Sequence, residues 1–290
     1  MATFSPAPRA PEHLTVSRTP RRAAEQGSLL DLYRLFGVAG PEAAEQADLP
    51  VPMRLLRSGE TLFHEGAAPE FVYFVRSGTF KTFQTELDGY EQVLGFVGRR
   101  EVLGFDAVAM ATHPSAAVSL EDSSVYALAL RDLYALGELA PRFERVVYAA
   151  VCTALNRQAE LAGVMSAAAS EVRLARFLLT VSQRMAGLGE SGRRLRLRMS
   201  RRDIASHLGV AHETISRCFQ SLADGRLLLV KDREVEILDL NALALFAQGT
   251  RRHAGLPNRN YPAPAARAAL GQLAAPLPNG NAAWQPARLT

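Results

Sequence analysis

Apolar residues along this chain come in three textures. From about Val51 to Leu130 they form short stretches parted by glycines at 59, 66, 78, 89, 95, 98 and 104. Phe71-Val-Tyr-Phe-Val and Thr79-Phe-Lys-Thr-Phe are rich in aromatic and β-branched side chains, and Val125-Tyr-Ala-Leu continues the series. Many short strands between turn residues predict a small antiparallel β barrel or roll. Asp88-Gly89 is a hairpin-turn signal. Near Leu133 the period becomes helical. Val147, Val151, Ala154, Gln158, Leu161 and Met165 recur at alternating spacings of 4 and 3. That is a heptad-like stripe on a long helix beginning after Pro141. The stripe packs either on its own roll or on its twin in a second chain. A long helix between two domains has little of its own chain to bury against, which favours the twin.

The third texture is two short helices in quick succession, in Ser200 to Leu222, SRRDIASHLGVAHETISRCFQSL. Ser200-Arg-Arg-Asp203 is a capping box that opens the first. Gly209 is placed to end it, because glycine takes the left-handed turn without penalty. The second begins at about Ala211. Ile204, Ala205, Leu208, Val210, Ile215 and Cys218 form a consistent inward set, the pattern of a helix-turn-helix. His212, Glu213, Ser216, Arg217 and Gln220 are left facing out. From the major groove Arg217 can donate twice to guanine, and Glu213 can accept from cytosine N4. Standing four apart, Glu213 and Arg217 can also hold each other's rotamers. Downstream, Leu227-Leu-Leu-Val and Val235-Glu-Ile-Leu predict a hairpin wing, with Lys231 and Arg233 at its tip able to touch phosphates. Upstream, Glu171 to Arg184 is amphipathic, and Leu195-Arg-Leu-Arg-Met alternates as a strand does.

Residues 28–37 read as a short helix capped by Ser28 and stopped by Gly37. Residues 1–27 and 246–290 are rich in Pro and Ala without apolar period and read as disordered tails. The expected fold class is α+β. It comprises a roll over 28–135, a dimerisation helix over 136–166 and a winged helix-turn-helix over 167–245.

Composition narrows the function. The chain has 290 residues, 48% hydrophobic and 21% charged, as in ordinary globular proteins. No stretch approaches the ~20 apolar residues of a membrane span, and the N-terminus has no apolar signal core, so no membrane and a cytoplasmic site are expected. Residues 171–233 carry 13 Lys+Arg and 6 Asp+Glu, a local +7 in a chain of net +4. A basic segment beside a mildly acidic remainder points to a nucleic-acid partner. The two cysteines, Cys152 and Cys218, are too few for a four-thiolate zinc or iron–sulfur site within one chain. Cys218 belongs to the inward set, and Cys152 sits beside the helix stripe. There is no Gly-rich phosphate loop, nucleophile elbow or His-Glu-x-x-His, so no enzyme is expected.

A β roll, a long helix and a winged helix-turn-helix, in that order, resemble the Crp/Fnr family of bacterial transcription regulators. Val210-Ala-His-Glu-Thr-Ile-Ser-Arg217 is similar to the Fnr/FixK-type recognition helix, marked by Glu-x-x-Ser-Arg. Gly89-Tyr-Glu-Gln-Val-Leu-Gly-Phe, Leu103-Gly-Phe-Asp-Ala-Val and His113-Pro-Ser also resemble that branch. The resemblance covers about residues 51–245. It implies a homodimer on double-stranded DNA, probing a two-fold site similar to TTGAT-N4-ATCAA. Glu213, Ser216 and Arg217 would read bases. His212 and Thr214 would stand beside them at the helix start. Ser200 and Arg201 would touch phosphates, and the Glu86–Glu91 loop would face RNA polymerase. The resemblance also implies two departures. The N-terminal cysteines of the oxygen-sensing cluster are missing. Relatives that bind cyclic AMP carry Gly-Glu and a later Arg-Ser/Thr, where this chain has Gly104-Phe105 and Pro114-Ser115. A phosphate buried without the arginine would be uncompensated. The expectation is a regulator, an activator by family, with no cofactor. The alternative is a roll that binds another small effector or haem, with His64 and His113 as candidate ligands.

Overall fold

The computed structural model describes residues 26–38 and 49–249. In chain order the first half holds β1 (Gln26–Ser28), α1 (Leu29–Phe36), β2 (Pro50–Leu56), β3 (Thr61–Phe63), β4 (Phe71–Ser77), β5 (Phe80–Thr85), β6 (Glu91–Val97), β7 (Val102–Leu103), β8 (Ala116–Ser119) and β9 (Ser123–Ala129). Then come α2 (Leu130–Leu139) and α3 (Pro141–Met165). The second half holds α4 (Ser170–Gly187), β10 (Arg194–Arg196), α5 (Arg201–His207), α6 (His212–Asp224), β11 (Leu228–Lys231), β12 (Glu234–Ile237) and α7 (Leu240–Gln248).

Two antiparallel sheets make the roll, in strand orders β1-β2-β9-β4-β7 and β3-β8-β5-β6. The unbroken apolar run of β4 follows from burial on both faces, since side chains alternate across a strand. Tyr73 and Val75 point between the sheets with Phe80, Val97 and Val125, while Val72 and Phe74 point outward under α1 and α3. The turn at Asp88-Gly89 joins β5 to β6 as its sequence predicts, with Gly89 at φ 82°.

The second half closes on a three-stranded sheet of order β10-β12-β11. Its core gathers Leu174, Leu178, Leu195, Ile204, Leu208, Ile215, Phe219 and Leu222. Two residues of the roll, Val93 and Phe96 on β6, belong to that same core.

Two expectations are corrected. Gln26 and Gly27, assigned above to a disordered tail, pair with Pro52 and Val51 of β2. Gly27 lies so close to Tyr126 that a Cβ there would overlap the ring. At the other end the fold passes residue 245. Asp239 caps α7 by accepting from Asn241 N and Ala242 N (2.9 and 3.0 Å), and Leu243 and Ala247 are buried. The remaining tail residues, 1–25 and 250–290, lie outside the described residues.

On α3 the buried face is Phe143, Val146, Ala150 and Val164. The predicted stripe lies beside it, with Val147, Val151, Leu161 and Met165 half-buried and Ala154 and Gln158 exposed. A fully exposed apolar stripe lies one residue later, at Tyr148, Cys152, Leu155, Ala159 and Ala162. Tyr148 is 65% exposed and Leu155 64%. A one-residue offset turns a helix by about 100°, which the near-uniform Ala and Val content of this segment does not resolve.

Candidate nucleic-acid interface

The capping box at the start of α5 forms in full. Asp203 N donates to Ser200 Oγ (3.1 Å), and Ser200 N donates to Asp203 Oδ2 (2.9 Å). The Ser200 hydroxyl also donates to that oxygen (2.6 Å). Gly209 ends the helix region at φ 62°, with Met165 so close that a Cβ would meet it at 3.1 Å. Ala211 then starts α6 in extended conformation.

Ile204, Ala205, Leu208, Ile215 and Cys218 are buried as the sequence predicts, and Val210 is half-buried against them. Phe219 and Leu222 complete the seat of α6. Opposite that seat His212, Glu213, Ser216, Arg217 and Gln220 are exposed, with Thr214 half-buried at the margin. Among the described residues no ion pair closes between Glu213 and Arg217. The mutual rotamer lock expected at spacing four is therefore not formed, and both charges face solvent. Gln220 is engaged, donating to Asp224 Oδ1 at 2.7 Å.

Arg201 does more than the sequence reading gave it. Its guanidinium lies 3.3 Å from the centre of the Phe219 ring, and Nη2 donates to Asp232 O in the wing turn (3.2 Å). Burial lowers its pKa to about 10, and Nη1 has no hydrogen-bond partner. One side chain thus braces α5, α6 and the wing against each other. The neighbouring Arg202 is the exposed cation of that turn. The basic residues of the adjoining strand alternate as predicted: Arg194 and Arg196 are exposed while Leu195 and Leu197 are buried. Lys231 and Arg233 stand exposed on the wing. Exposed Arg202 was missed because a capping box draws attention to its first and last positions only.

A cavity of about 220 Å³ lies where the roll meets α3 and α4. Phe105, Asp106, Ser115, Gln158 and Arg157 line it. Arg157 pairs with Glu101, its Nε has no partner, and burial together with Arg184 lowers its pKa to about 9. His113 is buried and stacked on Phe63 at 4.0 Å, while His64 is exposed. Burial lowers the His113 pKa.

Residues 53–138 match the cyclic nucleotide-binding domain family, and residues 172–246 match the Crp-like helix-turn-helix domain family. The transcriptional activator protein Anr of Pseudomonas protegens is 34% identical over 197 residues, 68% of this chain and 81% of its own length. The fumarate and nitrate reduction regulatory protein of Escherichia coli is 34% identical over 196 residues, 68% of this chain and 78% of its own. Among solved structures, FixK2 from Bradyrhizobium japonicum shares the fold with a TM-score of 0.59 at 24% identity, covering 71% of this chain and 99% of that one.

Proposed function

This chain belongs to the Crp/Fnr family of DNA-binding transcription regulators, and we propose that it binds a TTGAT-N4-ATCAA-like palindrome as a homodimer, one half-site per subunit. The carrying observation is the exposed Glu213, Ser216 and Arg217 on one face of α6, seated on a buried core and flanked by a wing that carries Lys231 and Arg233. That face has the donors and acceptors for base edges, while Arg202, Lys231 and Arg233 supply phosphate contacts. Dimerisation is supported by the apolar stripe of Tyr148, Cys152, Leu155, Ala159 and Ala162. Its heptad spacing suits a twin helix, and Cys152 is a small packing residue within it.

The chain acts without an iron–sulfur cluster of the four-thiolate kind, because Cys152 and Cys218 are its only cysteines. The resemblance makes it an activator and gives the exposed hairpin loop, Glu86 to Glu91, to RNA polymerase. A second reading, an effector-responsive roll, is favoured by the cavity beside Arg157. That guanidinium with an unpartnered Nε suits a small anion.

A gel shift tests the main reading. Protein purified in air, free of iron and nucleotide, is expected to retard the palindromic duplex selectively over a half-site-scrambled control. Equal retardation of both duplexes overturns the assigned operator. Retardation that appears only on adding a nucleotide moves the second reading to first place.

A further inference from the structure

β6 is the outer strand of its sheet, and an outer strand presents unpaired backbone groups. Here α5 covers that edge. Val93 N donates to Ser206 Oγ (2.8 Å), the Ser206 hydroxyl donates to Glu91 O (2.7 Å), and Gln92 Nε2 donates to Ser206 O (3.0 Å). His207 Nδ1 lies 3.4 Å from Val93 O. Its ring sits 5.1 Å from Phe96 and 5.8 Å from Phe177.

At the start of the same helix an ion triad crosses the boundary. Lys81 of β5 is 8% exposed. Its Nζ donates to Glu91 Oε2 (2.6 Å) and to Asp203 Oδ1 (3.0 Å). The ammonium also lies 4.8 Å from the centre of the Phe83 ring. Asp203 therefore serves twice. One oxygen closes the capping box and the other takes the lysine. A buried ammonium without carboxylate partners is costly, and Asp203 supplies one of the two that hold this lysine, the one that lies across the boundary.

We propose that Lys81, a residue of the roll, is a positioning residue for DNA recognition: through Asp203 it fixes α5 on the edge of β6 and so sets the angle at which α6 meets its half-site. This rests on the reading of the chain as a two-fold DNA binder. In a dimer the two recognition faces must match the spacing and helical phase of both half-sites. A joint that holds each α5 on its roll restricts that phase. A loosened joint lets each half-site be met separately.

The test compares the full-length wild type with Lys81→Met, Lys81→Arg and Gln92→Ala. Each is titrated onto the palindrome and onto duplexes whose spacer is one base pair shorter or longer. One base pair turns a half-site by about a tenth of a helical turn. The wild type is expected to prefer one spacer. Lys81→Met is expected to lose about tenfold of that preference, equivalent to about 1.4 kcal/mol, with single half-site affinity unchanged. Lys81→Arg retains the preference, and Gln92→Ala loses a smaller part of it. A folded Lys81→Met that discriminates spacers as the wild type does overturns the proposal. If Lys81→Met fails to fold, Gln92→Ala with wild-type discrimination overturns it instead. Hydrogen exchange without DNA separates this from failure of the operator reading. The Val93 amide, bonded to Ser206 Oγ, is expected to be protected in the wild type and to exchange faster in Lys81→Met. Unchanged protection of Val93 sinks the joint whatever the DNA result.

Discussion

The roll and the DNA-reading half dispose of their polar side chains in opposite ways. The roll puts them inside: Lys81, His113, Ser115, Ser119, Ser123 and Ser124 are all buried. There the hydroxyls hold turns, as when Ser123 donates to Glu121 O at 2.8 Å and Ser77 meets Ser124 at 2.7 Å. The second half keeps a nearly apolar interior and sets its polar groups out on α6, where Glu213 and Arg217 are exposed. Buried polar groups are spent on the fold, while exposed unpaired ones remain available to a ligand. Damage to the two halves is therefore read by different instruments, stability for one and recognition for the other.

The largest expected effect tests the first side of that contrast. Phe74 is fully buried, with Phe36, Phe143 and Phe105 packed edge-on at 5.7, 6.2 and 6.4 Å. Phe74→Ala is expected to cost about 3–5 kcal/mol of stability, measured by chemical denaturation. The protein that remains folded should keep its base preferences.

Arg217→Ala tests the other side. It is expected to remove about 1–3 kcal/mol of discrimination at one base pair of each half-site, measured by competition with singly substituted duplexes. The denaturation midpoint should stay put. A large drop in stability would mean that Arg217 supports the fold and would erase the contrast.

The smallest effect lies at the boundary between the halves. Burial lowers the His207 pKa from 6.5 to about 4. The unfolded chain therefore takes up a proton that the folded chain refuses, and stability from this residue declines as pH falls from about 6.5 toward about 4. His207→Phe is expected to flatten that slope between about pH 7 and about pH 5, followed by denaturation midpoints at each pH. A variant that keeps the full wild-type slope would assign it to other groups.

The parts legible in sequence were those governed by local rules. Ser200 and Asp203 stand three apart and Gly209 needs a left-handed backbone, so α5, the turn and α6 could be placed from a dozen residues. Asp88-Gly89 did the same for the β5–β6 hairpin. What escaped was every contact that joins distant segments. Lys81 and Asp203 are 122 positions apart, and each has a complete local explanation, one as a strand residue and the other as a cap. Nothing in either neighbourhood asks for a partner. Arg201 on Phe219 was hidden in the same way, since an arginine at a helix start already fits a phosphate role.

The sharing of Val93 and Phe96 has a practical consequence for anyone building chimeras. The natural splice point in the chain falls between α3 and α4, yet the seam in space runs along the inner side of β6. A graft of residues 167–248 onto a foreign sensor would leave those two side chains behind and uncover the apolar floor beneath Leu174 and Leu208. The donor left without α5 would bare a strand edge open to pairing with any other chain. Portability thus belongs to a discontinuous unit, the helices together with one strand borrowed from the roll.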